Sequence, residues 1–281
     1  MTSPNRHVLS SDGVALAVYE TGDPDRPTVV AVHGYPDDHT VWDGVVALLA
    51  DDFHVVTYDV RGAGASEAPS RREGYRIPQL VDDLGAVIDA TAPTGGVHLL
   101  AHDWGSIQSW SAVTDERFAD RLASFTSISG PSLAMASAWL RRTDRAAALR
   151  QLADSWYIGL FQVPLVPETL IRAGVLDRLL AGSLRAPAHR RPTRDAVNGL
   201  ELYRANILAA AARPEVGRTH LPVQVVAPEG DPHVTVRLQC EAPEPYAADL
   251  RTHVVDGGHW FFRRSPETLT ALVRAIAADV G

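Results

Sequence analysis

Short β-rich runs alternate with longer helical stretches between residues 14 and 129, and this alternation restricts the chain to a small set of folds. "VALAVYE" (14–20), "TVVAVH" (28–33), "FHVVTYD" (53–59), "VHLLAHD" (97–103) and "LASFTSIS" (122–129) read as strands. "TVVAVH" is continuously apolar, as a strand of a parallel sheet covered on both faces must be. Between the runs, "TVWDGVVALLA" (40–50), with Thr40 as its expected N-cap, "IPQLVDDLGAVIDAT" (77–91) and "WGSIQSWSAVTD" (104–115) have helical spacing. The pattern breaks from about Leu133 to Arg218, where only helical stretches rich in Ala, Leu and Arg occur. Strand-like text returns at "PVQVVAP" (222–228) and "RTHVVD" (251–256), and "SPETLTALVRAIAAD" (265–279) reads as a closing helix with Ser265 as its expected cap. We therefore expect an α/β core over 1–132 and 219–281, with a mostly parallel sheet, interrupted by a helical insertion over 133–218.

The segment "LLAHDWGS" (99–106) carries the chemistry. A nucleophile elbow is a strand, a very tight turn and a helix; small residues flank the nucleophile because the backbone is crowded there. Here Ala101 and Gly105 take the small positions, and the central slot holds Asp103 rather than a serine. By itself this could equally be a helix N-cap. A covalent mechanism also needs a base held by a third group, and on this kind of sheet the chain order is nucleophile, acid, histidine. "PEGDPHV" places Asp231 after the penultimate strand, and "DGGHW" places His259 after the last. Each is an ordinary loop residue taken singly. Three such residues at three strand ends in the required order define a site. "HGYPDD" (33–38) follows the second buried strand, so a backbone N–H near Tyr35, together with that of Trp104, is expected to form an oxyanion hole.

These segments resemble the α/β-hydrolase fold, specifically its branch of epoxide hydrolases and haloalkane dehalogenases. "HGYP", "YDVRGAGAS", "AHDWGS", "GDPHV" and "DGGHW" lie in the order of that branch's signatures, and an elbow Asp followed by Trp is its specific element. The resemblance implies that the insertion is a helical cap. It also implies that "SWYIGLFQ" (155–162) and "LYRANI" (202–207) carry two ring-opening tyrosines, Tyr157 and Tyr203. Tyr35 and Pro36 after "HG" match epoxide hydrolases, whereas dehalogenases usually carry Asn or Glu there to help bind halide. Ala101 replaces a more usual glycine. Trp104, Trp156 and Phe161 are expected to line an apolar pocket, with His33, Pro36 and Trp260 as further substrate contacts.

The implied activity is conversion of an apolar epoxide to a vicinal diol with water as co-substrate, through an alkyl ester on Asp103. A carboxylate suits displacement at an sp³ carbon because the resulting ester has a carbonyl that water can attack; an alkylated serine would be an inert ether. The alternatives are a haloalkane dehalogenase, a natural-product tailoring enzyme, and a ligand-binding protein on the same scaffold. A net charge of −8 with no basic tract interleaved with aromatics argues against nucleic acid. No cofactor is expected, and no metal-ligand spacing such as H-E-x-x-H occurs. One cysteine, Cys240, gives no disulfide framework, and neither a secretory signal nor a membrane-spanning run is read in the sequence, so a cytoplasmic protein without a membrane partner is expected. A homodimer is compatible with the sequence.

Overall fold

The computed structural model describes residues 3–175, 192–212 and 216–280, with side chains to residue 210 in the middle stretch. The parts of the expected insertion at 176–191 and 213–215 lie outside the described residues. Eight strands form one sheet: β1 (Arg6–Leu9), β2 (Ala15–Thr21), β3 (Thr28–Val32), β4 (His54–Tyr58), β5 (Val97–His102), β6 (Leu122–Ile128), β7 (Val223–Pro228) and β8 (Leu250–Val255). Their order is β1-β2-β4-β3-β5-β6-β7-β8. The β1–β2 and β2–β4 pairs are antiparallel and the rest parallel. The chain is thus an α/β protein with the expected mostly parallel sheet. Strand β1 had no periodic signal, since four residues at a sheet edge bury only Val8.

The central strands β3, β4 and β5 are buried at every position, because helices cover both faces. Helix α1 (Asp43–Leu49) packs on the closing helix α10 (Pro266–Ala278). Val45, Leu49, Leu269 and Val273 join Trp42, Val29 and Leu100 in one core. Helices α2 (Ile77–Thr91) and α3 (Trp104–Val113) bury Leu80, Leu84, Val87 and Trp110 in a second core on the other face. Of the two expected caps, one is corrected and one holds in position only. Thr40 does not cap α1: the helix opens through a 3₁₀ turn at His39–Trp42, where Asp38 accepts the Thr40 N–H at 2.9 Å. Ser265 sits at the N-cap position of α10 but makes no side-chain cap bond.

After β6 the described chain is helical: α4 (Leu133–Arg142), α5 (Arg145–Asp154), α6 (Tyr157–Gln162), α7 (Val166–Arg172) and α8 (Thr193–Ala212) precede β7. A further short helix, α9 (Val236–Glu241), follows β7 and was not anticipated; Thr235 caps it by accepting the Leu238 N–H. Arg204 on α8 ties these helices together, donating to Glu168 on α7 and to the Phe161 carbonyl of α6.

Candidate active site

Strand β5 delivers Asp103 to a tight turn before α3, and the backbone there is strained: Asp103 has φ 51° and ψ −122°. Such a conformation costs about 1–3 kcal/mol for a residue with a side chain and persists only where its surroundings over-determine it. Crowding at the turn is severe. A Cβ on Gly105 would lie 2.3 Å from the Val32 carbonyl oxygen of β3, so only glycine fits there. Ala101 is fully buried, consistent with the demand for a small residue.

The loop after β3 reaches the same point. The Tyr35 N–H donates to Asp103 Oδ1 at 2.8 Å, and the Trp104 backbone N–H also favours the ionised carboxylate. Two backbone donors therefore converge on Asp103. Tyr35 is followed by a cis bond to Pro36. The Tyr35 hydroxyl donates to the Ala196 carbonyl of α8 at 2.8 Å, joining the loop to the helix that carries Tyr203.

His259 follows β8 and is 2 % exposed, between two carboxylates. Its Nδ1 lies 2.9 Å from Asp231 Oδ2, and its Nε2 lies 3.6 Å from Asp103 Oδ2. Asp231 Oδ1 accepts the His233 and Val234 N–H groups at 2.8 and 3.1 Å, which aims Oδ2 at the imidazole. Burial disfavours charge on His259, but the Asp231 charge, the hydrogen bond to Asp231 and the nearby Asp103 carboxylate override it and push its pKa up to about 10. Burial likewise acts to raise Asp231, and the adjacent imidazolium holds it down at about 2. Asp103 is also held below the usual carboxylate range: burial acts to raise it, and His259 outweighs burial. His102, behind this group, is lowered to about 4 by burial and then by the charge of His259. Its Nε2–H donates to the His259 carbonyl at 3.0 Å.

Tyr157 on α6 and Tyr203 on α8 line the same cleft as Asp103, a half-open cavity of about 100 Å³. Their rings meet edge to face at 6.2 Å, and Tyr203 lies edge-on to Trp104 at 4.9 Å. Burial, followed for Tyr157 by the Asp103 charge, raises both phenols above their ordinary pKa, so both stay protonated donors at neutral pH. The rest of the cleft is largely apolar, with Ile107, Leu133, Ile158, Ile207 and Leu238 in its walls.

The expected substrate contacts fare differently. Trp156 is corrected: it is 57 % exposed and absent from the cleft lining, because neighbouring residues at the start of α6 point in different directions and Tyr157 takes the inward one. Phe161 is fully buried behind the cleft and packs on Tyr157 and Tyr203 at 5.4 and 4.9 Å. Trp260 is corrected too; it lies beneath His259 at 4.6 Å and donates its indole N–H to Asp37 Oδ2 at 2.6 Å. His33 and Pro36 border a second, smaller cavity that Trp104 also lines. Both His33 nitrogens are engaged with backbone: Nδ1–H donates to the Gly34 carbonyl at 2.9 Å, and Nε2 accepts the Val60 N–H at 2.8 Å. His33 thus fixes the loop. Sequence reasoning missed Gln151 and Gly199, which shape the site from single positions that no motif marks, and passed over His233 inside "GDPHV". Gly199 alone left a trace, as an isolated glycine inside a helical pattern. Among the described residues, no group of three or more His, Cys, Asp or Glu side chains could hold a metal ion. Among them, too, no helix is long and apolar enough to cross a membrane.

A strained aspartate at a strand–helix elbow, backed by an acid–histidine pair from the last two strands of an eight-stranded sheet, defines a class of protein. The α/β hydrolase fold family model matches residues 27–263, and the chain belongs to that family. The chain is 36% identical over 301 residues to "Probable oxidoreductase EphD" of Mycobacterium tuberculosis (strain ATCC 25618 / H37Rv), a match covering 97% of this chain and 49% of that protein. It is 32% identical over 191 residues to "Epoxide hydrolase A" of the same organism, covering 66% of this chain and 57% of that protein. The chain thus spans about half the length of the curated relatives it matches. Among solved structures, a Bacillus megaterium epoxide hydrolase in complex with an inhibitor superposes with a TM-score of 0.80 at 22% identity, covering 97% of this chain and 100% of that one. An epoxide hydrolase from hot-environment metagenomes gives a TM-score of 0.82, also at 22% identity, covering 99% of each chain.

Proposed function

We propose that the protein is an epoxide hydrolase acting on apolar epoxides through a covalent ester on Asp103. The observation that carries this reading is the placement of two protonated phenols, Tyr157 and Tyr203, on the same cleft as an ionised Asp103. In the first step, Asp103 Oδ2 attacks a ring carbon. The C–O bond of the ring breaks, its electron pair goes to the ring oxygen, and one tyrosine gives that oxygen a proton while the other hydrogen-bonds it. Oδ1, held by the Tyr35 N–H, becomes the ester carbonyl oxygen.

In the second step His259, oriented by Asp231, takes a proton from water, and the resulting hydroxide adds to the ester carbonyl. The tetrahedral oxyanion forms against the N–H groups of Tyr35 and Trp104, donors of a kind worth roughly 10² to 10³ in rate. Collapse expels the diol oxygen, which takes the proton held by His259, and the Asp103 acid left behind gives its proton up to restore the tyrosinate of the first step. The base must be neutral for this step. In the free protein two carboxylates hold its proton; esterification removes the charge of one, lowers the imidazole pKa and frees the base when it is needed. The helices between β6 and β7 act as the cap, with residues 133–218 as its extent, over a core of 1–132 and 219–281. The name of Epoxide hydrolase A and the titles of the structural neighbours support the same activity, while EphD is named a probable oxidoreductase. The dehalogenase alternative is disfavoured, because Tyr35 stands directly after His33–Gly34, where dehalogenases usually carry Asn or Glu to help bind halide.

The test is the intact mass of the His259→Gln protein after incubation with apolar epoxides and haloalkanes. An added mass equal to a whole epoxide, mapped to Asp103, is the expected result. An alkyl adduct with halide release moves the assignment to a dehalogenase.

A further inference from the structure

Helix α5 carries one buried amide whose hydrogen bonds leave the helix. Gln151 is 3 % exposed. Its Nε2 donates to the His233 carbonyl at 2.8 Å and to Ser155 Oγ at 2.9 Å. Its Oε1 accepts both the Thr235 N–H and the Thr235 hydroxyl at 2.9 Å. The amide therefore grips the chain at residues 233 and 235. Between and beside these anchors lie the His233 and Val234 N–H groups, the two donors that hold Asp231 Oδ1. With Oδ1 fixed in this way, Oδ2 faces His259.

We propose that Gln151 is a positioning residue that locks the 231–235 loop and thereby sets the Asp231–His259 pair for the water-activating step. The proposal rests on the reading of that pair as the hydrolytic base. The physical argument is one of replacement. An apolar side chain at 151 removes the hydrogen bonds that Gln151 gives to the partly buried His233 carbonyl and Thr235 N–H, and backbone groups taken from water favour rearrangement over losing a partner. The loop relieves this by moving, and Asp231 moves with it. Ester formation at Asp103 does not use Asp231, so the two chemical steps respond differently.

The experiment uses the full chain with Gln151→Met and Gln151→Glu. The latter keeps the acceptor and, when ionised, loses the donor. Two quantities are read: the NMR titration midpoint of the His259 imidazole without substrate, and the single-turnover rates of ester formation and ester breakdown by quenched mass spectrometry with styrene oxide. The groups facing His259 are Asp231, Asp103, His102 and His233. Asp103 and His102 lie outside the 231–235 loop, so in Gln151→Met a shift reports on the loop that carries Asp231 and His233; Gln151→Glu adds a charge of its own and is read by ester lifetime alone. We expect the midpoint to fall in Gln151→Met, and ester breakdown to slow by roughly tenfold to a hundredfold, a typical cost of a displaced catalytic group. Ester formation stays within about threefold, as expected for a step that does not use the displaced group. In ester breakdown Gln151→Glu falls between Gln151→Met and wild type. An unchanged midpoint with an unchanged ester lifetime overturns the proposal, as does equal slowing of both steps. A lowered midpoint in a protein that forms no ester, even as His259→Gln, upholds the latch and overturns the epoxide reading instead.

Discussion

The Nε2 of His259 stands 3.6 Å from Oδ2 of Asp103, beyond a good hydrogen bond yet close enough for charge to be felt. The imidazole is thus coupled to the Asp103 carboxylate electrostatically, and its proton affinity reports the charge state of Asp103. Asp103→Asn is expected to abolish turnover and to lower the His259 midpoint from its raised value of about 10. A ring-proton NMR titration of both proteins checks this, and equal midpoints would mean that Asp103 contributes nothing to holding the proton.

The same pKa shift predicts how stability varies with pH. A folded-state pKa raised from 6.5 to about 10 makes the protonated imidazole stabilising below pH 6.5, and that contribution is lost as pH rises toward 10. The Tm advantage of the wild type over His259→Gln should therefore shrink steadily across that window. Asp231, lowered from 3.8 to about 2, contributes in the opposite sense: its stabilisation is present above pH 3.8 and is lost as pH falls toward 2. Melting curves of wild type, His259→Gln and Asp231→Asn across both ranges test the signs.

Tyr157→Phe and Tyr203→Phe keep the ring packing and remove one donor each. Each is expected to slow ester formation by about 10² to 10⁴, the range for a positioned general acid, with ester breakdown little changed. Single-turnover kinetics separate the two steps. If both variants form the ester at the wild-type rate, the ring oxygen is stabilised elsewhere.

Gly199→Ala tests the packing of α8 on the oxyanion loop. A Cβ at 199 would lie 2.2 Å from Cδ2 of the Tyr35 ring, which is itself tied to Ala196 on the same helix. We expect a loss of about 1–3 kcal/mol, typical of overpacking, despite the better helix propensity of alanine. Denaturant unfolding gives the magnitude. A stabilised variant would contradict the close approach.

Much of the site was legible because its parts are local. An elbow is a strand, one residue and a helix, and each of its constraints falls within a few residues of Asp103. Asp231 and His259 were legible because each follows a strand that the apolar pattern identifies. The tyrosines came from resemblance, since a lone aromatic on a helix carries no signal of its own. Trp156 and Trp260 were misplaced for one reason: aromatic type says that a side chain seeks burial, and direction is set by packing. Trp156 lost the inward position to Tyr157 one residue on, while Trp260 went under the histidine to meet Asp37. The "YDVRGAGAS" segment shows the same limit. Arg61 within it is fully buried, pairing with Asp83 at 2.5 Å and Asp12 at 2.7 Å, a network no spacing announces.

The sequence by itself determined seven of the eight strands, the elbow and the order of Asp103, Asp231 and His259 at strand ends, because those depend on periodicity and on short-range backbone sterics. The tertiary structure alone decided which side chains meet: the grip of Gln151 on the acid loop, the contact of Tyr35 with Gly199, and the 3.6 Å gap between His259 and Asp103. These contacts join residues far apart in the chain, and their energies come from burial, charge and close packing in a shared space, which no local pattern encodes.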